Sequence, residues 1–491
     1  MASNLRWEDI FSINRVGQEK LEQGVRSGFQ RDFDRLIFSS AFRRLQNKTQ
    51  VFPLPGSTFV HNRLTHSLEV ASVGRSLGKI VGSHIAAEEL GLGPDEAEAQ
   101  EFYRYELSNV IAAACLAHDI GNPAFGHSGE KALSAFFAEN AGRQIDGRTL
   151  QSYFSPLEWS DLVNFEGNAN AFRILTHTFK GKLPGGFGLT YTTLAAILKY
   201  PCDSASVGGA AHRKKYGYFQ TEHENFLEVV HELHMIPDIP PGEAAPGGAY
   251  APTAPAGAAA HMDGTPTGAA FFRHPFVYLT EAADDICYQV IDVEDAHRLG
   301  IVQLDEARTL LLDLMHAIGR PTDNMDRVRK RVDGIGDANE KIAYLRARCI
   351  NSLTLQAADV FIANSAAILN GTFRSTLIKT INETCHALDA IESLSVDRIY
   401  NHESVIQIEI AGYHVMSELL NVFVPPLLKQ KPDARDKKMI RLIPDQFLET
   451  GDRDTPYHKV RCALDYISGM TDLYATELYR KLKGIDIPIH R

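Results

Sequence analysis

Cysteine is scarce in this sequence, and its copies stand apart without a CxxC pair. The six cysteines are Cys115, Cys202, Cys287, Cys349, Cys385 and Cys462. Several lie in apolar helical runs, which is typical of reduced core residues in a cytosolic protein. The sequence also lacks an apolar run long enough to span a bilayer, and its opening residues, MASNLRWEDIFS, lack the pattern of a signal peptide. We therefore expect a soluble cytoplasmic protein with no membrane partner.

Positive charge is in deficit, because the formal net charge is −11 and the pI is near 6.0. An acidic chain is not attracted to a polyphosphate, so any nucleotide site must concentrate its own cations locally. The balance argues against obligate binding to DNA, although it leaves a local basic patch possible. We also find no internal repeat, heptad array, P-loop or GxGxxG followed by an acid.

The composition is otherwise that of a soluble globular protein, with 44% hydrophobic and 23% charged residues. The 491 residues are enough for about three domains of ~150 residues, or for one continuous helical core. The most informative stretch is CLAHDIGNPAFGHSGE, from Cys115 to Glu130, where an apolar helical run delivers the adjacent pair His118 and Asp119. A Gly/Pro turn then bends the chain back towards His127 and Glu130. An isolated His-Asp pair is more often a capping histidine beside a solvated acid, so its meaning depends on further ligands.

Further candidate ligands lie on two other predicted helices. His66 precedes apolar residues at helical spacing, and Asp284 and Asp285 interrupt the apolar run VYLTEAADDICYQVIDVEDA. Paired acids within a buried helix are costly unless a cation or hydrogen bonds compensate them. The predicted metal ligands are His66, His118, Asp119 and Asp284. Four such ligands on an octahedral ion leave two positions for water and a substrate oxygen, as hydrolysis requires.

This order of ligands resembles the HD-domain metal-dependent phosphohydrolases. The flanking segments resemble the deoxyguanosine triphosphate triphosphohydrolase (dGTPase) branch, which is similar to the wider dNTP triphosphohydrolases. These segments are RDFDRLIFSSAFRRLQNKTQVFPLP, RLTHSLEVASVGRSLG, AHDIGNPAFGHSGE, FEGNANAFRIL, LAAILKYP, EAADDICY and DYISGMTDLYATELY. They run in family order from about Arg31 to Tyr479, nearly the whole chain. One departure is Ala124, where many members carry a second proline.

The resemblance implies an all-α fold: an HD-domain helical core with additional helices and few or no strands. It implies hydrolysis of dGTP, or of other dNTPs, to the deoxynucleoside and inorganic triphosphate by water attack at the α-phosphorus. The carboxylate share of the ligands favours Mn²⁺ or Mg²⁺ over Zn²⁺. The resemblance further implies a homo-oligomer, often a hexamer, and a possible single-stranded DNA or dNTP effector.

The resemblance also implies roles for individual residues. His127 is the expected catalytic histidine, and Glu130, three residues on, orients it. The expected substrate-binding residues are Gln50, Val51, Arg63, Lys199, Tyr200 and Tyr288. Of these, Gln50 and Val51 line the nucleoside pocket, Lys199 binds phosphate, and Tyr200 borders the substrate.

Further expectations concern Arg63, the choice between Asp284 and Asp285, and Tyr288. Arg63 is expected either to neutralise phosphate or to form a salt bridge with Glu69 or Asp119. The family pattern D-x-I-x-Y places the metal ligand at Asp284 and not at Asp285. Tyr288, one helical turn later, is expected to lie beneath the deoxyribose and to exclude a 2′-hydroxyl.

The chain organisation is predicted as an arm over residues 1–30, a first part of the HD domain over 31–236, and a flexible Pro/Gly/Ala-rich insertion over 237–270. The last metal-ligand helix follows over 271–300, and a helical region packed on the HD core over 301–491. One helix is predicted from Asp32 to Gln46; its arginines are solvated or near phosphate and regulatory sites. The Lys/Arg run from Lys429 to Arg441, between Pro426 and Pro444, is predicted as an exposed basic loop that serves solubility or binds an effector.

Two other functions fit parts of the pattern. The first is an HD-type nucleotidase or phosphodiesterase that acts on another nucleotide. The second is a nucleic-acid-binding regulator with a vestigial HD site, against which the intact ligand set and the acidic balance count.

Overall fold

The computed structural model describes residues 5–18, 25–53, 59–91, 93, 96–238, 270–320, 324–448 and 454–486. Within these residues the one strand pair is the antiparallel hairpin of Gln144–Ile145 (β1) and Arg148–Thr149 (β2), in which Gln144 faces Thr149. All other regular structure there is helical, so the predicted all-α class is confirmed. No described helix is both long enough and apolar enough to cross a membrane.

The earlier helices are α1 (Gly28–Ile37), α2 (Ser40–Arg44), α3 (Arg63–His84), α4 (Ala97–Glu101), α5 (Leu107–Ala117), α6 (Gly126–Glu139), α7 (Pro156–Val163), α8 (Gly167–Thr176), α9 (Tyr191–Ile197) and α10 (His223–Glu232). The later helices are α11 (Val277–Arg298), α12 (Leu304–Ile318), α13 (Met325–Asp333), α14 (Ala338–Ala363), α15 (Ser365–Leu369), α16 (Leu377–Cys385), α17 (Asp389–Leu394), α18 (Glu403–Leu428), α19 (Ala434–Ile440), α20 (Pro456–Ser468) and α21 (Asp472–Leu482). Short π-helical segments cover Ile85–Glu89, Phe102–Glu106 and Ser395–Ile399.

The apolar sequence of α5 explains its central position. From Val110 to Ala117 every side chain is buried, because no polar residue offers the helix a solvent face. Neighbouring α3 begins at a capping box, in which Asn62 accepts from the Thr65 amide and the Thr65 hydroxyl accepts from the Asn62 amide. Together these features place the start of α3 and the end of α5 in the protein interior.

A stripe of glycines allows α3 and α5 to approach closely. Gly74, Gly78 and Gly82 are spaced four residues apart and share one face of α3. A Cβ atom at Gly74 would lie 2.5 Å from the Cys115 sulfur, and one at Gly82 would lie 2.2 Å from the Tyr103 carbonyl oxygen. The contact therefore requires glycine, and it fixes the spacing of the two helices.

The buried apolar residues form two clusters. The larger cluster contains side chains from α1, α3, α5, α9, α10, α11, α12, α14 and α16. The smaller cluster joins α6 and α7 to α18, α20 and α21. The helices after residue 300 thus contribute to both clusters. The domain boundaries given above stay a prediction.

Two local predictions were wrong. The helix expected from Asp32 to Gln46 is two helices, because the Ser39 hydroxyl caps a new helix at Ser40 by accepting from the Phe42 amide. The predicted basic loop contains α19, which begins at a capping box formed by Asp433 and Asp436. Its basic residues are largely exposed, as expected. The Pro/Gly/Ala-rich insertion falls outside the described residues except for its ends, where the Asp238 amide donates to the Ala270 carbonyl at 2.8 Å.

We predict that Gly82→Ala lowers the free energy of unfolding by about 1–3 kcal/mol, because the new methyl group collides with the backbone of Tyr103. Chemical denaturation measures the change. Ser76→Ala, on an exposed position of the same helix, is the matched control and is expected to change stability by less than about 0.5 kcal/mol. Equal stability of the two variants would contradict the close-packing argument.

Candidate metal centre and active-site cavity

Two imidazoles and a carboxylate from different parts of the chain meet in the interior. The Nε2 atom of His66, in the first turn of α3, lies 3.0 Å from Oδ1 of Asp284 on α11. The Nε2 atom of His118, the residue that follows α5, lies 3.4 Å from the same oxygen. Donor atoms of the three side chains all lie within 4.8 Å of one another, a spacing suited to one metal ion.

The environment of His118 fits a metal ligand. Its Nδ1 atom lies 2.6 Å from the Cys115 carbonyl, to which it donates, so the lone pair is on Nε2. That Nε2 atom is buried and, within the part of the chain that the structure describes, has no hydrogen-bond partner. Burial opposes the cationic imidazole, but Asp119 and Asp284 outweigh burial and raise the pKa of His118 to about 9. The cluster therefore favours additional positive charge, which a divalent cation would provide.

Asp284 and Asp285 differ in their surroundings. Burial opposes ionisation of Asp284, but His118 and His66 outweigh it and hold its pKa well below the usual value. Asp285 lacks these partners, and burial raises its pKa to about 7. The ionised carboxylate that faces the imidazoles is thus that of Asp284.

Asp119 lies beside the cluster but outside the three-residue group. Its Oδ1 atom is 3.6 Å from Nε2 of His118 and accepts from the Asn122 side-chain amide. Its Oδ2 atom accepts from Arg63 at 2.7 Å. Of the two expectations for Arg63, the salt bridge to Asp119 is therefore present, and the guanidinium also borders the cavity described below.

His127 and Glu130 form a pair in the first turn of α6. Nδ1 of His127 lies 2.7 Å from Oε2 of Glu130, and the other carboxylate oxygen accepts from the Gly167 amide at 2.9 Å. The His127 side chain is 73% exposed, whereas that of Glu130 is 8% exposed. A buried carboxylate thus orients a histidine whose Nε2 remains open to a substrate.

These groups share one cavity of about 510 Å³. Of the predicted site residues, only buried His66 does not line it. The lining residues predicted from sequence are Gln50, Val51, Arg63, His118, Asp119, His127, Glu130, Lys199, Tyr200, Asp284 and Tyr288. The structure thus brings all of the predicted site residues except His66 to the wall of one cavity, and His66 contacts Asp284 behind that wall.

Comparison with known proteins agrees with this geometry. Residues 63–183 match the HD domain family, and residues 378–481 match the phosphohydrolase-associated domain family. A deoxyguanosinetriphosphate triphosphohydrolase-like protein of Synechocystis sp. is 35% identical over 98% of this chain and 100% of its own length. One from Pseudomonas aeruginosa is 34% identical over 98% and 99%, and the deoxyguanosinetriphosphate triphosphohydrolase of Yersinia pestis is 30% identical over 98% and 96%.

The chain belongs to the HD-domain deoxyguanosinetriphosphate triphosphohydrolase family. The HD match contains His66, His118, Asp119, His127 and Glu130, whereas Asp284 lies beyond its end. HD domains are typically dependent on divalent metals, and the His66, His118 and Asp284 group is of the type that binds one.

Three charged residues that line this cavity, Lys215, Glu281 and Glu409, were missed in the sequence. Lys215 lines the cavity and pairs with Glu166 at 2.9 Å. Glu281 also lines it, and accepts from Arg273 at 2.9 Å while lying 3.2 Å from the Lys199 amine. Lys215 lies in a loop without periodicity, and its one sequence signal is the basic run Arg213-Lys214-Lys215.

We expect the wild-type protein to bind one Mn²⁺ per chain, measured by titration calorimetry or by the loss of the free-ion paramagnetic resonance signal. Asp284→Asn should weaken binding by more than the roughly 10–100-fold that loss of an outer-sphere partner costs. Asp285→Asn is the matched control and should retain Mn²⁺ affinity, because Asp285 is outside the ligand group. The reverse order of effects would assign the ligand to Asp285.

Proposed function

We propose that this protein hydrolyses dGTP or other dNTPs to the deoxynucleoside and inorganic triphosphate, with Mn²⁺ or Mg²⁺ as cofactor. The observation that carries the proposal is the shared cavity. Its walls include His118 and Asp284 of the His/His/Asp group, together with an oriented, exposed histidine and lysine side chains, which supports this reaction. The relatives that span the whole chain support the same reaction.

His66, His118 and Asp284 would hold the cation, with Asp119 as the proposed fourth ligand. A bound divalent cation supplies Lewis-acid stabilisation of phosphate charge and lowers the pKa of water. In the proposed reaction water attacks the α-phosphorus, the bond from phosphorus to the 5′-oxygen breaks, and the 5′-oxygen takes up a proton.

His127 is the proposed general acid–base group. The Glu130 carboxylate accepts a hydrogen bond from Nδ1–H, so the opposite ring nitrogen, Nε2, is the atom that would exchange a proton with the reacting groups. Burial opposes the ionised form of Glu130, but His127 and Lys215 outweigh it, so the pKa of Glu130 is lowered. An ionised Glu130 stabilises the imidazolium that forms when His127 takes up a proton.

The triphosphate would bind among the cavity cations Lys199, Lys215 and Arg63. Burial opposes the cationic form of Lys199, but Glu281 outweighs it and raises its pKa, so Lys199 remains charged. Burial also opposes the cationic form of Lys215, but Glu130 and Glu166 outweigh it and raise the pKa of Lys215. These cations would supply the local positive charge that an acidic chain needs at a nucleotide site.

The nucleoside would bind against Gln50, Val51 and Tyr200, which line the cavity. Oε1 of Gln50 is buried and has no hydrogen-bond partner among the described residues, so a ligand donor at this position would satisfy it. Tyr288 is the proposed platform for the deoxyribose. Its ring stacks on that of Tyr400, with centroids 5.9 Å apart and an interplanar angle of 23°.

The resemblance also supports a homo-oligomer, a hexamer by analogy, and an effector that is single-stranded DNA or a dNTP. A cytoplasmic location fits the six free cysteines.

We expect the protein, incubated with each dNTP and Mn²⁺, to release deoxynucleoside and intact triphosphate, which chromatography identifies. His127→Ala should lower kcat by roughly 10²–10⁴-fold while Mn²⁺ and nucleotide binding persist. His316→Ala, an exposed histidine on α12, is the control and should leave kcat unchanged. Release of monophosphate or diphosphate products would instead favour the nucleotidase alternative. Salt-sensitive DNA binding without dNTP turnover would favour the regulator.

We further expect Tyr288→Ala to raise turnover of ribonucleoside triphosphates relative to dNTPs, because the space for a 2′-hydroxyl is enlarged. The ratio of kcat/KM for GTP and dGTP measures the change. Tyr288→Phe keeps the ring and should keep the discrimination. An unchanged ratio in Tyr288→Ala would remove the residue from sugar selection.

A further inference from the structure

We propose that Asp472, the first residue of α21, is a positioning residue. It holds the nucleoside-binding segment, residues 48–51, in a fixed position relative to helix α6, which carries His127. The proposal rests on the proposed function, because it concerns the same cavity. Asp472 does not line that cavity, so its effect on the reaction would pass through the two backbone segments that it holds.

One buried carboxylate bridges two distant segments. Oδ2 of Asp472 accepts from the Thr49 amide at 2.8 Å, across 423 residues of sequence. Oδ1 accepts from the Phe125 amide at 2.9 Å, across 347 residues. Thr49 directly precedes Gln50, and Phe125 lies two residues before His127. Without Asp472, both buried amides would lose an acceptor, which is costly for a backbone donor.

The backbone at Phe125 needs such support. Phe125 has φ 61° and ψ 18°, a left-handed conformation that residues other than glycine rarely adopt. Gly126 also has a positive φ of 56°, so two left-handed residues turn the chain immediately before His127. The Phe125 ring packs against Gly412 on α18, where a Cβ atom would lie 2.6 Å from it. The hydrogen bond from the Phe125 amide to Asp472 and the packing of the Phe125 ring together set the direction in which α6 starts.

The nucleoside-binding segment is held from both sides. The Lys48 carbonyl accepts from the Arg63 amide at 3.2 Å, which ties the segment to the start of α3. The buried Lys48 amine donates to the Asn122 carbonyl at 2.6 Å and to the Ser468 carbonyl at 3.0 Å. Asp472 completes this arrangement, so the link between α20 and α21 reaches both sides of the cavity.

Asp472 is not the cap of its own helix. The hydroxyl of Thr471 caps α21 by accepting from the Tyr474 amide at 3.2 Å. Both carboxylate oxygens of Asp472 instead accept from segments outside α21. The capping and the bridging roles are thus carried by neighbouring residues and can be tested separately.

The test compares Asp472→Asn with Thr471→Ala in the full-length protein. Asparagine has one acceptor oxygen in place of two, so at least one of the two amides loses its partner. We expect hydrogen exchange to accelerate in peptides that contain Thr49 or Phe125 in Asp472→Asn, and not in Thr471→Ala. We also expect Asp472→Asn to lower kcat for dGTP by about 10²-fold, the effect of a small misplacement of reacting groups, with Mn²⁺ affinity unchanged.

Unchanged exchange at both peptides, or wild-type kcat in Asp472→Asn, would overturn the proposal. So would equal kcat losses in the two variants when both are compared at the same folded fraction. If Asp472→Asn does not fold, Asp472→Glu provides the test, since it keeps both acceptors but adds a methylene. It should show intermediate kcat, and wild-type kcat in that variant would overturn the proposal. If the wild type turns over no dNTP, the proposed function fails, while the exchange measurement still tests the bridge.

Discussion

The site depends on compensation of the partly buried Asp284 carboxylate by two imidazoles. Its Oδ1 atom lies 3.0 Å from His66 and 3.4 Å from His118, so three helices converge on one oxygen. A carboxylate at this depth is stable only with positive charge or hydrogen bonds beside it. The glycine stripe of α3 allows His66 and His118 to lie close together, because bulkier residues would move α3 away from α5.

The rest of the cavity repeats this pairing of opposite charges. Lys199 lies beside Glu281, Lys215 beside Glu166, and Arg63 beside Asp119. The pairs at Lys199 and Lys215 raise the pKa of each amine, so both lysines stay charged in a partly buried space while the chain as a whole is acidic. If the proposed triphosphate substrate binds here, these cations are already held in place, and little reorganisation would be needed as charge develops.

Local signals in the sequence predicted much of this arrangement, and non-local packing explains the rest. The apolar run before His118 and the spacing of His127 and Glu130 predicted helices that the structure contains. The break at Ser39 was missed, because a serine within an amphipathic pattern does not reveal that it caps a new helix. Lys215 was missed because its position depends on a loop that folds back against Glu166, which no periodic pattern encodes. Prediction from one sequence is strongest where a residue's environment is set by its own helix.

The two apolar clusters explain why the reaction site needs the C-terminal helices. The metal-binding group lies at the start of α3, just after the end of α5 and on α11, and these three helices belong to the larger cluster. The smaller cluster supplies α6, with His127. Helix α18 also borders the cavity, where Val405 belongs to the larger cluster and Ile408 packs against the smaller one. Closing a cavity in this way excludes water and strengthens every charge interaction within it. The cavity therefore forms at the seam between the clusters, and contacts that fix this seam fix the distance between His127 and the metal-binding group.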